Sequence, residues 1–364
     1  YSARYTTFLL AAKTETMNLE IGGDDGYRLY VNDKMILDAW LRNRWGARQF
    51  QLPVKKDSTY KIVIEFYQNE GNAAISLKAG NRVKTDFSAL AERLKGVDAI
   101  IFAGGISPQL EGEEMPVQVP GFNGGDRTTI MLPQVQTALL QALQHTGKPV
   151  IFVMMTGSAI ACPWENRNIP AILNAWYGGQ AAGTAIADVL FGDYNPSGRL
   201  PVTFYMSDND LPAFGDYSMQ GRTYRYYKGR VLYPFGYGLS YSRFNYSKLS
   251  VPERIDRQAP LVVKASVTNT GDFDGDEVVQ LYVSHPDVAG APLSALKGFQ
   301  RIYLRRGETR ELSFRLGAED LSLINEKGNA YQPKGKTIVS IGGGQPGIDH
   351  QATSNVVSKT VLIR

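Results

Sequence analysis

Between Gly105 and Pro133 the chain reads ISPQLEGEEMPVQVPGFNGGDRTTIML, in which Glu111, Glu113 and Glu114 crowd three carboxyl groups into four positions and Asp126 and Arg127 follow. Carboxyl groups held in pairs do general acid/base work: one gives a proton to a departing oxygen while the other attacks or activates water. A carboxyl that donates near neutral pH must hold its proton more tightly than usual, and like charges crowded beneath a folded loop have that effect. The same EGEE run is also what a solvated acidic loop looks like, and residue chemistry alone leaves both readings open. Asp126 and Arg127 suit an ion pair or a helix-start contact that holds the loop.

Other candidate chemistry is thinner. The single cysteine, Cys162, excludes an internal disulfide or a multi-cysteine zinc site and reads as an inert small hydrophobe. His145, His285 and His350 are too far apart for a metal motif. GDDG at 23–26 offers two aspartates to a hard cation such as calcium, which takes about six to eight oxygens; a hairpin turn accounts for the same residues. GFNGGD at 121–126 lacks the spacing of a phosphate-cradling loop. Trp176 and Tyr177 in AWYGGQ place rings at a strand end, where a sugar or the core is the alternative neighbour. Tyr224, Tyr226, Tyr227, Tyr233, Phe235, Tyr237 and Tyr241 form either a sugar-binding strip or a buried seam between domains, and the seam is favoured because a long connection needs such area. No metal or organic cofactor is expected.

The elements that must position these residues fall into three stretches. In 364 residues, 43% hydrophobic content supports packed cores, and the length suggests more than one domain. A net charge of +4 with no Lys/Arg cluster argues against nucleic acid as a partner. No apolar run approaches the roughly 18 residues of a membrane span. The opening at Tyr1 reads as a strand already under way, so the chain is expected to be a piece of a longer protein.

Over 1–80 the period is two: Tyr27, Leu29 and Val31 alternate with Arg28 and Tyr30, and Tyr60, Ile62, Ile64 and Phe66 alternate with Lys61 and Glu65, with GDDG and NDK (32–34) as hairpin turns. This predicts a partial β-sandwich. Over 81–250 helical stripes (Phe87 to Leu94; Pro133 with Leu139, Leu140 and Leu143, then Gly147; Gln180 to Phe191) alternate with apolar runs at 97–105, 149–154, AILNAW and 202–205. That alternation predicts an α/β sandwich with a mostly parallel sheet, closed by a long connection from about 206. Over 251–364 alternation returns in LVVKASVTNTG, EVVQLYVS, TRELSF and KTIVSIGG, the pattern of a second antiparallel sandwich. The loop that carries the glutamates, about 27 residues long, leaves the carboxyl end of the first α/β strand, where open α/β sheets bind ligands, and far exceeds the usual connection of about 2–6 residues.

Four segments, GGISPQLEGEEM, GGDRTTIMLPQVQTALLQAL, AILNAWYGGQAAGTAIADVLFGDYNPSGRLPVTF and GRTYRYYKGRVLYPFGYGLSYSRF, together resemble glycoside hydrolase family 3. VTNTGDFDGDEVVQLYVS and LKGFQRIYLRRGET resemble that family's fibronectin type III-like domain. RYTTFLLAAKTETMNLEIGGDDGYRLYVNDKMILDAW resembles the protective-antigen-type sandwich that many members carry inserted in the α/β domain. The resemblance implies a multidomain α/β plus all-β protein: a partial protective-antigen-type sandwich at 1–80, the family's C-terminal α/β domain at 81–250 and the fibronectin type III-like domain at 251–364. It further implies a retaining exo-acting β-glycosidase, a β-xylosidase or β-glucosidase, acting on oligosaccharide ends. Its attacking aspartate belongs to an N-terminal (β/α)8 barrel, which is missing here, and its acid/base glutamate falls on this loop as Glu111, with Glu114 the rival. Export to the periplasm or the medium is expected, and so is inactivity of the chain alone. The alternative from another class is a non-catalytic carbohydrate-binding or adhesion module with the α/β domain as scaffold.

Overall fold

A computed structural model of the chain describes residues 1–41, 46–71, 73–80, 85–115, 117–348 and 353–364; His350 lies outside them. It divides into two compact units, Tyr1–Arg93 with Pro108–Thr128, and Leu94–Ser107 with Thr129–Arg364.

In the first unit, β1 (Ser2–Leu10), β2 (Glu15–Gly23), β3 (Gly26–Val31), β4 (Lys34–Ala39), β5 (Gly46–Val54), β6 (Thr59–Tyr67) and β7 (Ile75–Gly80) form two antiparallel sheets. Their orders are β1-β6-β3-β4 and β5-β2-β7. The alternating residues do what their spacing predicts: Tyr27, Leu29 and Val31 of β3 and Ile62, Ile64 and Phe66 of β6 are buried in one core with Leu19 and Ile21 of β2. Each such side chain contributes about 1.5–3 kcal/mol on leaving water. The NDK hairpin is present, with Asn32 and Asp33 at φ 50° and 63° between β3 and β4, the left-handed pair that a two-residue turn requires.

GDDG is not a hairpin. It carries the chain from β2 in one sheet to β3 in the other. Asp25, with φ 61° and buried, accepts the backbone N–H groups of Asn69 (2.6 Å) and Glu70 (3.2 Å) on its Oδ2. Turn residues report a positive φ, which hairpins and sheet-to-sheet crossings both use, so the motif alone does not separate them.

Helix α1 (Ser88–Leu94) leads into β8 (Ile100–Gly105); three two-residue strands follow, β9 (Gln118–Val119), β10 (Phe122–Asn123) and β11 (Asp126–Arg127), then α2 (Gln134–Gln144) and β12 (Val150–Met155). Next come α3 (Pro163–Asn168), β13 (Ala171–Asn174), α4 (Ala182–Phe191) and β14 (Phe204–Tyr205). Strands β13, β12 and β8 make a parallel sheet in that order. Helix α2 buries Leu140 and Leu143, as its stripe predicts, and Gly147 follows its end at φ 73°. Helix α3 is absent from the sequence expectation because PWENRN has no apolar stripe; Pro163 preorganises its first turn. The expected strand at 202–205 shrinks to β14, which pairs antiparallel with β15 (Val231–Tyr233) and does not extend the parallel sheet.

The connection runs through a 3-10 turn (Asp208–Asp210) and the short α5 (Thr223–Tyr226). Part of its aromatic tract packs as a seam: Tyr224 stacks on Phe235 with ring centres 4.2 Å apart and meets Tyr282 edge-on, while Tyr233 stacks on Tyr237; Tyr241 is exposed, and Tyr226 and Tyr227 line a surface hollow. Beyond it, β16 (Phe244–Ser250), β17 (Arg254–Ile255), β18 (Leu261–Asn269), β19 (Gly275–Ser284), β20 (Ala295–Leu304), β21 (Thr309–Leu316), β22 (Leu323–Ile324), β23 (Ala330–Tyr331), β24 (Gly335–Gly342) and β25 (Val356–Ile363) complete the chain. Sheets β16-β18-β21 and β17-β25-β24-β19-β20 sandwich a core that includes Leu261, Val263, Leu281, Phe314 and Ile341. Strand β20 escaped the pattern search because it is an edge strand whose aromatics, Phe299 and Tyr303, face outward.

One buried ion pair fastens the segment between α4 and β14 to this sandwich. Arg199 Nη2 lies 2.8 Å from Glu277 Oε2, with 7% and 0% of the side chains exposed. Tyr246 and Ser354 donate to Glu277 Oε1 (both 2.9 Å), and Arg199 also donates to the carbonyls of Ser197, Gly198 and Gly343. Burial pushes the Glu277 carboxyl up against the opposing pull of Arg199. Removing the cation strands a buried carboxylate, whereas removing the anion leaves Arg199 its carbonyls. Arg199→Met should therefore cost about 3–5 kcal/mol and Glu277→Gln distinctly less, as read by urea unfolding of the chain.

His285 supplies a pH handle. It is buried and bonded through Nδ1 to Thr337 Oγ1 (3.1 Å), and burial first, then the Lys297 charge, push its pKa below 6.5. A folded-state value below the unfolded one means that the unfolded chain binds the proton more tightly, so this stability contribution is present above about pH 6.5 and is lost as pH falls. Melting temperature should drop between about pH 7 and 5, and His285→Gln should flatten that drop.

Candidate active site

The acidic loop is held at both feet by the α/β layer. At its start Gly105 has φ 120°, and a Cβ there would lie 1.8 Å from the Met155 carbonyl oxygen, so only glycine passes the end of β12. Gln136 of α2 brackets the same peptide: its Oε1 accepts the Gly105 N–H (2.8 Å) and its Nε2 donates to the Gly105 carbonyl (2.6 Å). The Ile106 N–H donates to the Met155 carbonyl, and Tyr177 donates its hydroxyl to the Ile106 carbonyl (2.7 Å). At the far foot, Asp208 accepts from the Ile130 N–H (2.7 Å) and from Thr129 Oγ1 (2.6 Å). Ile130 and Leu132 exchange backbone bonds with Ala161.

Within Pro108–Thr128, which groups with the first unit, the chain folds back on itself. Strand β10 pairs with both β9 and β11, and Phe122 is buried. The Gly112 N–H donates to the Gly125 carbonyl (3.2 Å), the Met115 N–H to the Gly124 carbonyl (3.0 Å) and the Gly124 N–H to the Val117 carbonyl (2.8 Å). These bonds bring the EGEE segment beside the NGGD turn. Glu111 precedes the cross-link at Gly112 and is half-buried; Glu113 and Glu114 stand beyond it, exposed. Glu114 has φ 51°, a left-handed conformation that side chains rarely adopt. The three glutamates thus share one backbone-fixed turn.

The remaining sequence candidates lie elsewhere. Asp126 and Arg127 contribute their backbone to β11. Trp176, at φ 53°, packs edge-on against Phe204 (6.1 Å). Cys162 is fully buried, its thiol pushed up to about 12 by burial and then by the Glu165 charge, which keeps it unreactive. Among the described residues no three His, Cys, Asp or Glu side chains gather as a metal site, and no helix is long and apolar enough to cross a membrane. Sequence reasoning missed the clamps at Gln136 and Asp208. Neither carries a local signal, since each acts on a peptide 31 or 78 residues away.

A model of the glycosyl hydrolase family 3 C-terminal domain matches residues 7–241, spanning both the sandwich and the clamped loop, and a fibronectin type III-like domain matches 277–345. The chain belongs to glycoside hydrolase family 3. A xylan 1,4-beta-xylosidase of Xylanibacter ruminicola is 41% identical over 337 residues, covering 92% of this family 3 chain and 39% of its own length. A periplasmic beta-glucosidase of Salmonella typhimurium is 39% identical over 59% of the chain and 30% of its own length. Among solved structures, a beta-glucosidase from Kluyveromyces marxianus superposes over the whole chain and 45% of its own (TM-score 0.67, 25% identity). A Listeria innocua beta-glucosidase in complex with isofagomine covers 76% of the chain and 38% of its own (TM-score 0.64, 27% identity). The family 3 chain therefore spans about two fifths, or less, of the length of these curated relatives.

The loop geometry makes a comparison of two neighbouring glycines informative. Gly125 has φ 91° and a Cβ on it would fall 1.9 Å from the Gly112 carbonyl oxygen, whereas a Cβ on Gly124 (φ 63°) meets nothing within 4 Å. Gly124→Ala should cost only the left-handed penalty of about 1–2 kcal/mol. Gly125→Ala should in addition break the cross-link, seen as markedly faster hydrogen exchange of the Gly112 and Met115 amides.

Proposed function

We propose that this chain is the part of a retaining, exo-acting β-glycosidase that supplies the acid/base carboxyl group from the clamped loop. The observation that carries this reading is the 41% identity, over 92% of the chain, with a xylan 1,4-beta-xylosidase. The relatives' names place β-xylosides and β-glucosides in view, and β-xylosides come first on that identity. In this reading residues 1–80 are a protective-antigen-type sandwich inserted in an α/β domain at 81–250, and 251–364 are the fibronectin type III-like domain.

Glu111 is the proton donor, with Glu114 the rival. Its carboxyl group protonates the glycosidic oxygen as the bond to the anomeric carbon breaks, and a carboxylate of another domain takes up that carbon as a covalent glycosyl ester. Water then attacks the anomeric carbon, the carboxylate of the other domain leaves it, and the Glu111 carboxylate accepts the water's proton, which restores both groups. Retention places the two carboxyl groups about 5–5.5 Å apart. The half-buried position of Glu111, directly before the Gly112 cross-link, supports the assignment, because a donor must be held while the leaving oxygen departs. The left-handed backbone at Glu114 is what keeps that residue in contention. The second carboxylate belongs to the family's (β/α)8 barrel, so the 364-residue chain by itself is inactive. The protein works in the periplasm or outside the cell, in line with the name of the Salmonella relative, and in polysaccharide breakdown, in line with the xylan named for the Xylanibacter relative.

The test is leaving-group dependence in the complete gene product. Glu111→Gln should lower kcat about 10²–10⁴-fold on a β-xyloside whose leaving group needs a proton. A dinitrophenyl β-xyloside, which needs none, should lose far less in its first step, and added azide should restore turnover. Full activity of Glu111→Gln together with this signature in Glu114→Gln would move the role to Glu114. Hydrolysis of aryl β-xylosides by the 364-residue chain would refute the two-domain reading.

A further inference from the structure

The connection at 211–222 holds aromatic side chains that the chain itself does not use. Phe214 is 96% exposed, Tyr217 88% and Met219 50%, whereas the neighbouring aromatics Tyr224, Phe235, Tyr233 and Tyr237 are all stacked in the seam. Exposure here does not reflect a slack backbone. Arg222 Nε donates to the Ser218 carbonyl (2.9 Å), and its guanidinium donates to the Asp216 carbonyl. The Ser218 N–H donates to Asp216 Oδ1 (2.9 Å), and the Asp216 N–H to the Ala213 carbonyl (2.9 Å). These bonds are spent on shaping a loop whose rings point into water. Beside the rings lies a hollow of about 460 Å³ lined by Leu211, Pro212, Gln220, Tyr226 and Lys228, its wall fixed by the Tyr227 hydroxyl donating to Asp210 (2.7 Å).

We propose that residues 211–222 form a preshaped docking knob, with its adjoining hollow, for the domain that fills the rest of the chain in the longer family 3 relatives. Aromatic and methionine side chains with a neighbouring recess are the make-up of an interface centre. The only charge on the knob before Arg222 is Asp216, whose carboxylate is taken up by its own backbone, so the surface suits an apolar protein face and not a polyanion. The occupant follows from length: relatives matched over 92% and 75% of this chain devote 39% and 38% of their own residues to the match, so each carries a large further portion. The proposal rests on the two-domain reading above, in which a carboxylate from that portion must be held at a set distance from the clamped loop.

Hydroxyl-radical footprinting tests it, comparing Phe214, Tyr217 and Met219 in the complete gene product and in the 364-residue chain. Several-fold slower oxidation in the complete protein is expected, and equal rates overturn the proposal. Protection of the 364-residue chain that rises with its own concentration overturns it in favour of a second copy. Protection that needs added xylo-oligosaccharide overturns it in favour of a glycan. Because both rings are exposed, Phe214→Ser with Tyr217→Ser should leave the melting of the 364-residue chain unchanged. The same pair should split unfolding of the complete protein into two transitions and lower its kcat/KM by about tenfold or more; a single unaltered transition overturns the proposal. Hydrolysis by the 364-residue chain would refute the two-domain reading instead, whatever the footprint shows.

Discussion

At the end of β8 the backbone of Gly105 passes so close to Met155 that no side chain fits, and that crossing fixes where the acidic loop begins. A peptide pressed against the carboxyl end of a parallel sheet cannot bond within a strand, so its N–H and C=O groups need partners from elsewhere. Gln136 provides both, with the geometry of a missing strand. With Asp208 fixing the returning foot, a segment long enough to be slack starts and ends at defined points. Between them the Gly112 to Gly125 bond narrows the freedom of the glutamates further. A group that must donate a proton along one line loses little entropy at the moment of reaction when its backbone is already held.

The same economy recurs further along the second unit. The segments on either side of β14 have little regular structure, yet both are fixed to the C-terminal sandwich, the one before it by the Arg199–Glu277 pair and the one after it by Tyr224 meeting Tyr282 edge-on. A buried pair of this kind is weak evidence of net stability, since desolvation offsets the attraction. What it gives is register: the guanidinium satisfies three carbonyls and one carboxylate, and few other placements of the segment before β14 would satisfy them together. Against that background the rings of Phe214 and Tyr217 stand out as exposed.

Much of this was legible in the residues. Alternation set the inward faces of β3 and β6, the Leu140 and Leu143 stripe set α2, and Asn-Asp set the β3–β4 hairpin, because each depends on neighbours two to four positions away. The aromatic seam was legible as a need for buried area. Local signals failed where the deciding partner is distant. GDDG looks like a hairpin until Asp25 is seen to bond Asn69 and Glu70. Helix α3 has no stripe because its core contact is a single buried glutamate, Glu165, bonded to Thr137 of α2. Strand β20 shows its aromatics, Phe299 and Tyr303, to water.

For the site the division is sharper. By itself the sequence determined that three glutamates stand on a long loop after an α/β strand, since residue type and spacing are all that this statement needs. Only the tertiary structure decided that the loop is clamped at both feet, that Glu111 sits at its neck and Glu114 in a left-handed turn, and that the NGGD turn faces EGEE. Those facts come from backbone groups of distant residues meeting within hydrogen-bond range, and no periodicity in a single chain encodes which carbonyl a given amide will find.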